Sequence, residues 1–337
     1  MVCTVIVDGF FGDSGKGKIV SYLAYADDVD YCARGGVGPN AGHTVTLRGR
    51  VFRLRMLPSA FVNPETRLLI GPGVVVNPEI VLREISELEV AGFNVEKRFG
   101  LDAQCAVIEP RHIEADRGGH LGEVIQTTGT GTGPCNADRA LRRAKLARDE
   151  PSLKGFLADV PLELNQALDK GMDVLVEGTQ GTYLSLYHGT YPYVTSKDVC
   201  SSAACSDVGI GPTRVDEVIM VLKSYVTRVG AGELPGELTP EEARRRGWEE
   251  YGTVTGRQRR AAPFNYELAK RAAMINGATQ IALTKLDTLY PECRGVRDYG
   301  SLGQEARGFV ESIESQLGLP VTLIGTGPDI EEVIDRR

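Results

Sequence analysis

Five short segments of this chain carry residue types suited to phosphate and proton chemistry. The first is Gly12-Asp13-Ser14-Gly15-Lys16-Gly17-Lys18. Its glycines free backbone N–H groups to face phosphate oxygens, and Lys16 supplies a charge for a β- or γ-phosphate. The loop departs from a Walker A pattern, with Phe10 at the leading glycine position and Gly17 where Ser or Thr belongs. Asp13 is the odd member. A carboxylate among phosphates is repelled unless it shares a Mg2+ ion or acts on a proton.

The second segment, Gly35 to Thr44, places Asn40 and His43 on a glycine-rich loop. Next to another phosphate-type loop, such a histidine is a candidate for catalysis or phosphate contact. The third runs Thr127-Thr128-Gly129-Thr130-Gly131-Thr132-Gly133-Pro134, with Arg139, Arg142 and Arg143 behind it. Hydroxyls alternating with glycine suit a phosphate, whereas the arginines equally fit a solvated helix face. In the fourth, Thr253-Val254-Thr255-Gly256-Arg257-Gln258-Arg259-Arg260, the guanidinium density suits a dicarboxylate or phosphates. The fifth, Thr284-Lys285-Leu286-Asp287, holds the Lys-x-Asp pair with which many GTPases read guanine. Together these loops imply a nucleotide enzyme that handles several anionic groups.

The elements that position them alternate. Val2–Val7 reads as a buried strand and Lys16–Ala26 as a helix after the first loop. Arg67–Ile70 and Val74–Val76 read as short strands, and 77–90 as a helix with Pro78 in its first turn. Residues 162–168 read as helix, and Val174–Glu177 as a strand entering the loop Gly178-Thr179-Gln180-Gly181. Apolar spacing predicts a helix over 215–226. Gln280–Thr284 and 321–324 read as strands flanking a helix over 304–317. The alternation indicates an α/β protein with a mainly parallel sheet, and the length suits one large domain or two fused ones.

Composition narrows the classes. With 42% hydrophobic and 25% charged residues among 337, the chain reads as an ordinary globular enzyme. A net charge of −7 argues against nucleic-acid binding. Seven scattered cysteines without a C-x-x-C read as reduced thiols in a cytoplasm. The apolar start is interrupted by Asp8 and reads as a strand rather than a leader, and nothing in the sequence suits a membrane span.

In order, GDSGKGK, NAGHT, TTGTGTGP, EGTQGT, HGTYPYVTS, TRVGAGELPGEL, TGRQRR, TKLD and GTGP resemble the adenylosuccinate synthetase family over roughly Val2 to Asp329. The resemblance implies a single α/β domain over 1–337 around a large, mainly parallel sheet with helices on both faces, a homodimer, and a Mg2+-dependent ligase. A nucleoside triphosphate phosphorylates O6 of a purine nucleotide, and L-aspartate then displaces the phosphate. By the same resemblance, Asp13 is the N1 base and a Mg2+ ligand together with Gly42. His43 and Lys16 act on the transferred phosphoryl group, and Gln180 holds the 6-position. Substrate nucleotide is expected at Ser14, Asn40, Ala41, Thr128, Gln180, Thr195 and Arg257, with Arg142 reaching in from the other subunit. L-aspartate is expected at Thr253, Val254, Thr255, Gly256, Arg257 and Arg259. The donor triphosphate is expected at Gly12, Ser14, Gly15, Lys16, Gly17, Lys18, Gly42, His43, Thr44 and Arg259. Its base is expected at Lys285, Asp287 and the turn Gly325-Thr326-Gly327.

The chain departs from the family pattern at Ser14, where the usual loop has glutamate, and at Ser21, where it has aspartate. A hydroxyl beside Asp13 frees space and can accept from a purine 2-amino group. That reading favours dGMP as substrate and ATP as donor, as in phage enzymes that make 2-aminoadenine nucleotides in a host cytoplasm. The alternative is IMP with GTP, to which Asp287 is suited. A GTPase switch or a catalytically silent nucleotide-binding protein are the rivals from other classes.

Overall fold

The computed structural model describes residues 2–252 and 256–337; Thr253, Val254 and Thr255, expected at the aspartate pocket, lie outside the described residues. Ten strands form the central sheet: β1 (Cys3–Asp8), β2 (Tyr31–Arg34), β3 (Arg67–Ile70), β4 (Phe99–Asp102), β5 (Leu157–Ala158), β6 (Val174–Glu177), β7 (Glu217–Lys223), β8 (Gln280–Thr284), β9 (Val321–Gly325) and β10 (Val333–Asp335). Their order is β10-β9-β8-β7-β1-β6-β2-β3-β4-β5. All neighbours are parallel except β10, which runs antiparallel along the edge.

Alternation along β1 divides the core. Cys3, Val5 and Val7 face one layer, built with the helices Val160–Asp169, Ser201–Val208, Tyr266–Asn276 and Gln304–Leu317. Ile6 faces the other, with Ile19 and Leu23 of the helix Lys16–Ala26 and Val81 and Ile85 of Pro78–Val90. A strand covered on both faces must be apolar throughout. This explains the one misread element. Glu217–Lys223 is a strand between β1 and β8, and Tyr225–Arg228 a second strand antiparallel to Arg260–Pro263, where a helix was expected over 215–226. In a continuous buried run, apolar residues fall at helical spacings by default.

Because the strands are parallel, their carboxyl ends share one edge, where ligands bind in such sheets. Asp8, Arg34, Glu177, Lys223, Thr284 and Gly325 stand there. The loops that follow hold the segments singled out above. No helix among the described residues is long and apolar enough to cross a membrane.

Candidate active site

The loop after β1 is organised by Asp8. Its buried carboxylate accepts from the backbone N–H groups of Phe10 (2.8 Å), Gly12 (3.3 Å) and Ser14 (3.3 Å). It also accepts from the Ser14 hydroxyl and from Lys16 Nζ at 3.1 Å. Lys16 donates further to the Gln180 carbonyl. Curling the chain around one carboxylate places Gly12, Asp13 and Gly15 at positive φ, with Gly15 as the N-cap of Lys16–Ala26. No side chain caps that helix and its first turn has no acid, so its N-terminus is open to an anion. Gly17 lets the helix pass His43: a Cβ there would lie 3.0 Å from the His43 Cβ.

A cavity of about 410 Å3 opens above this loop, lined by Gly12, Asp13, Lys16, Asn40, Ala41, Gly42, His43, Thr128, Gln180, Thr195 and Arg257 among others. Four of the five segments or their neighbours therefore meet in one space. Asn40 Nδ2 donates to Thr195 Oγ1 at 3.1 Å, joining the second segment to HGTYPYVTS. Thr128 shares a 3.1 Å hydroxyl contact with Thr130, and Arg257 donates to the Thr127 carbonyl at 3.3 Å. Gly256, at positive φ, precedes it.

His43 is buried. Its Nδ1 bonds Glu177 at the end of β6, whose carboxylate also takes the Ser59 N–H (2.8 Å) and hydroxyl (2.6 Å). Burial, then the Arg34 guanidinium, lower the His43 pKa to about 4, so the ring is neutral in this state. Burial pushes Glu177 up, but His43, Arg34 and the Ser59 hydroxyl outweigh it and hold the carboxyl at about 2. The pair is thus a neutral imidazole donating Nδ1–H to a carboxylate, with Nε2 turned free. The sign of the linkage follows. A histidine depressed from 6.5 to about 4 contributes stability that is complete above pH 6.5 and is lost as pH falls toward 4. The melting temperature of the wild type should exceed that of His43→Gln at pH 7, with the gap narrowing by pH 5. Thermal melts at both pH values check this, and a gap independent of pH would refute it.

Among the described residues, several buried polar atoms lack a partner: His43 Nε2, Gln180 Nε2 and Asn40 Oδ1 on residues lining the cavity, and Asp287 Oδ1 just past the end of β8. Leaving such groups unpaired is costly, which makes them candidates for bonds to a ligand or an ordered water. Asp13, Gln180, Lys285 and Arg142 are non-glycine residues at positive φ, a conformation that concentrates at functional sites.

Other expected residues sit differently. Ser14 is 2% exposed, and its hydroxyl is spent on Asp8 rather than turned into the cavity. Ser21 donates to the Ser59 carbonyl at 2.6 Å. Lys18 is tied to the carbonyls of Gly327 and Glu332, stapling the helix to the Gly325-Thr326-Gly327 turn, and burial lowers it to about 8. Thr44 is exposed on the hairpin His43–Leu47/Arg50–Leu54. Arg142 is exposed past the helix Thr132–Ala140 and is not among the residues lining this cavity. Lys285, Asp287 and the 325–327 turn form a separate group at the ends of β8 and β9. Sequence reasoning missed Asp8, Arg34, Glu177 and Glu250. For Asp8, Arg34 and Glu177 the available signal was a charged residue closing an apolar strand, as in VIVD and VLVE; Glu250, past the helix Pro240–Arg245, gave none.

The adenylosuccinate synthetase family profile matches residues 5–150 and 144–293. The chain belongs to the adenylosuccinate synthetase family. It is accordingly a carbon–nitrogen ligase that draws on a nucleoside triphosphate. It is 54% identical to the adenylosuccinate synthetase of Methanosphaera stadtmanae over all of this chain and 98% of that one. With the Archaeoglobus fulgidus enzyme identity is 55%, over 100% and 99%. The fully ligated adenylosuccinate synthetase of Plasmodium falciparum shares the fold at a TM-score of 0.88 and 24% identity, covering 99% of both chains. The cyanophage S-2L succinoaminodeoxyadenylate synthetase, bound to dGMP and dATP as an energy donor, superposes at 0.81 with 26% identity over 99% and 95%.

Proposed function

We propose that this enzyme joins L-aspartate to IMP at the expense of GTP, giving adenylosuccinate. The observation that carries the reading is the meeting of Asp13, Lys16, His43 and Gln180 around one cavity, with His43 Nε2 and Gln180 Nε2 buried and without a partner among the described residues. Asp13 removes the N1 proton of hypoxanthine, and O6 takes the γ-phosphoryl group from the donor. Lys16 and the open helix end hold phosphate charge. Dianionic phosphate near Nε2 favours the imidazolium form of His43, which Glu177 supports from the far side, so the ring donates to the transferring group. The aspartate amine then forms the bond to C6, the C6–O bond breaks, and phosphate leaves with the oxygen. Arg257, which lines the cavity, and Arg259 are the proposed holders of the aspartate carboxylates, together with Thr253, Val254, Thr255 and Gly256.

The Asp13 carboxylate and the Gly42 carbonyl are hard oxygen donors on the same cavity, a set that fits a Mg2+ ion completed by phosphates and water. Bound there, Mg2+ would neutralise donor phosphate charge. Asp287 supports GTP as donor. Its unpaired Oδ1 is an acceptor that suits the N1–H and 2-amino hydrogens of guanine and repels the N1 lone pair of adenine. The exposed Arg142 supports a homodimer in which it enters the neighbouring site. Seven buried free cysteines suit a reducing cytoplasm.

The dGMP reading rested on Ser14, whose hydroxyl already serves Asp8; the archaeal relatives at 54–55% identity also favour IMP. Product mass after incubation with Mg2+, L-aspartate and either IMP or dGMP, each with GTP or ATP, decides the matter. Adenylosuccinate from IMP and GTP is expected. An adduct from dGMP alone would restore the Ser14 reading, and GTP hydrolysis indifferent to aspartate would make the protein a GTPase.

A further inference from the structure

Glu250 lies outside every motif that first drew attention, yet it is the most heavily engaged carboxylate on the donor side. It is 12% exposed. Oε2 accepts from Lys223 Nζ at 2.9 Å and from an Arg259 guanidinium nitrogen. Oε1 accepts from the Tyr225 hydroxyl and lies 3.5 Å from Lys285 Nζ. The Glu250 carbonyl takes the Arg259 backbone N–H at 2.8 Å, so that arginine is tethered twice. Arg259 Nε in turn sits 3.1 Å from Asp13 Oδ2, an electrostatic contact off the N–H axis, since Nε has no hydrogen-bond partner. A continuous chain of charge runs Lys285, Glu250, Arg259, Asp13.

Building on the reading above, we propose that Glu250 is a positioning residue that couples the donor-base pocket to the aspartate pocket and to Asp13. Three cations share its carboxylate. If Lys285 turns to cover a base ring, the negative charge on Oε1 is left to Lys223, Tyr225 and Arg259, which shifts how Arg259 is shared with Asp13. Coupling of this kind is reciprocal: whatever the donor does to the aspartate pocket, aspartate does to the donor. Burial favours the protonated acid, but Lys223, Lys285 and Arg259 overcome it and hold Glu250 well below the usual carboxylate range, so the charge persists at neutral pH.

The test is Glu250→Gln, which keeps the shape and removes the charge, with kinetics measured separately in each substrate. KM for GTP and KM for L-aspartate should rise together, roughly tenfold, while KM for IMP stays within about twofold and Glu250→Asp recovers part of the loss. Tyr225→Phe covers the case in which Gln at 250 does not fold: it leaves the charge, frees Oε1, and should move the same two KM values in concert. A purely structural role would lower melting temperature and leave these ratios alone. Equal rises in all three KM values, or GTP and aspartate moving independently, would overturn the proposal. If the wild type makes no adenylosuccinate the reaction assignment fails instead, and calorimetric titration of GTP and L-aspartate into both variants still judges the coupling.

Discussion

Asp13→Asn is expected to lower kcat by roughly 10³-fold while KM for IMP changes little. The amide keeps the size and the positive-φ geometry of Asp13, which asparagine tolerates well, so the loop around Asp8 stays curled. What disappears is the basic oxygen. General-base removal alone costs about 10²–10⁴, and the variant also loses a hard anionic donor for Mg2+ and the counter-charge to Arg259. Single-turnover phosphate release from GTP with IMP and L-aspartate measures the chemical step directly. A fall below tenfold would remove Asp13 from the role of base and leave it as a loop residue.

Asp287→Asn is expected to exchange the donor base. The aspartate presents only acceptors, and its unpaired Oδ1 waits for hydrogens. Asparagine turns one acceptor into a donor facing the 2-amino group of guanine, and two donors then confront each other. Sites built to satisfy a polar group discriminate strongly when it is wrong, so kcat/KM for GTP should drop by at least about 10²-fold. Xanthosine triphosphate, with a carbonyl at C2 and a retained N1–H, should be used by the variant in preference to GTP. Competition between the two triphosphates measured by product formation is the check. Unchanged GTP use would place the base elsewhere.

Much of this was legible in the residues. The helix Lys16–Ala26 begins where a glycine loop ends, and Pro78–Val90 starts on a proline behind Asn77, whose side chain caps Ile80. Local chemistry of that kind survives tertiary packing. Glu217–Lys223 did not read correctly, because a strand buried on both faces erases the period of two that would mark it. Among site residues, the ones in glycine-rich segments stood out by composition and the structure gathers most of them. Asp8, Glu177 and Glu250 were passed over for the opposite reason. Each is a single acid at a strand end or in an unremarkable loop, and only the fold reveals what converges on it. Ser14 shows the reverse error: its type suggested a ligand, and its neighbour Asp8 claims the hydroxyl first.

The placement of the loops on the sheet has a consequence for engineering. The groups at the ends of β8 and β9 and those at the ends of β2 and β6 are separated by β7 and β1. The proposed donor-base groups and the acceptor cavity are therefore separate in space, and the chain Lys285, Glu250, Arg259, Asp13 is what joins them. A library confined to 286–288 and 326–328 would vary the proposed donor-base groups while leaving Lys285 and the residues lining the cavity unchanged, and one confined to 40, 41 and 128 would vary the acceptor side instead. Glu250 is the seam between the two sides, the position such libraries should hold fixed.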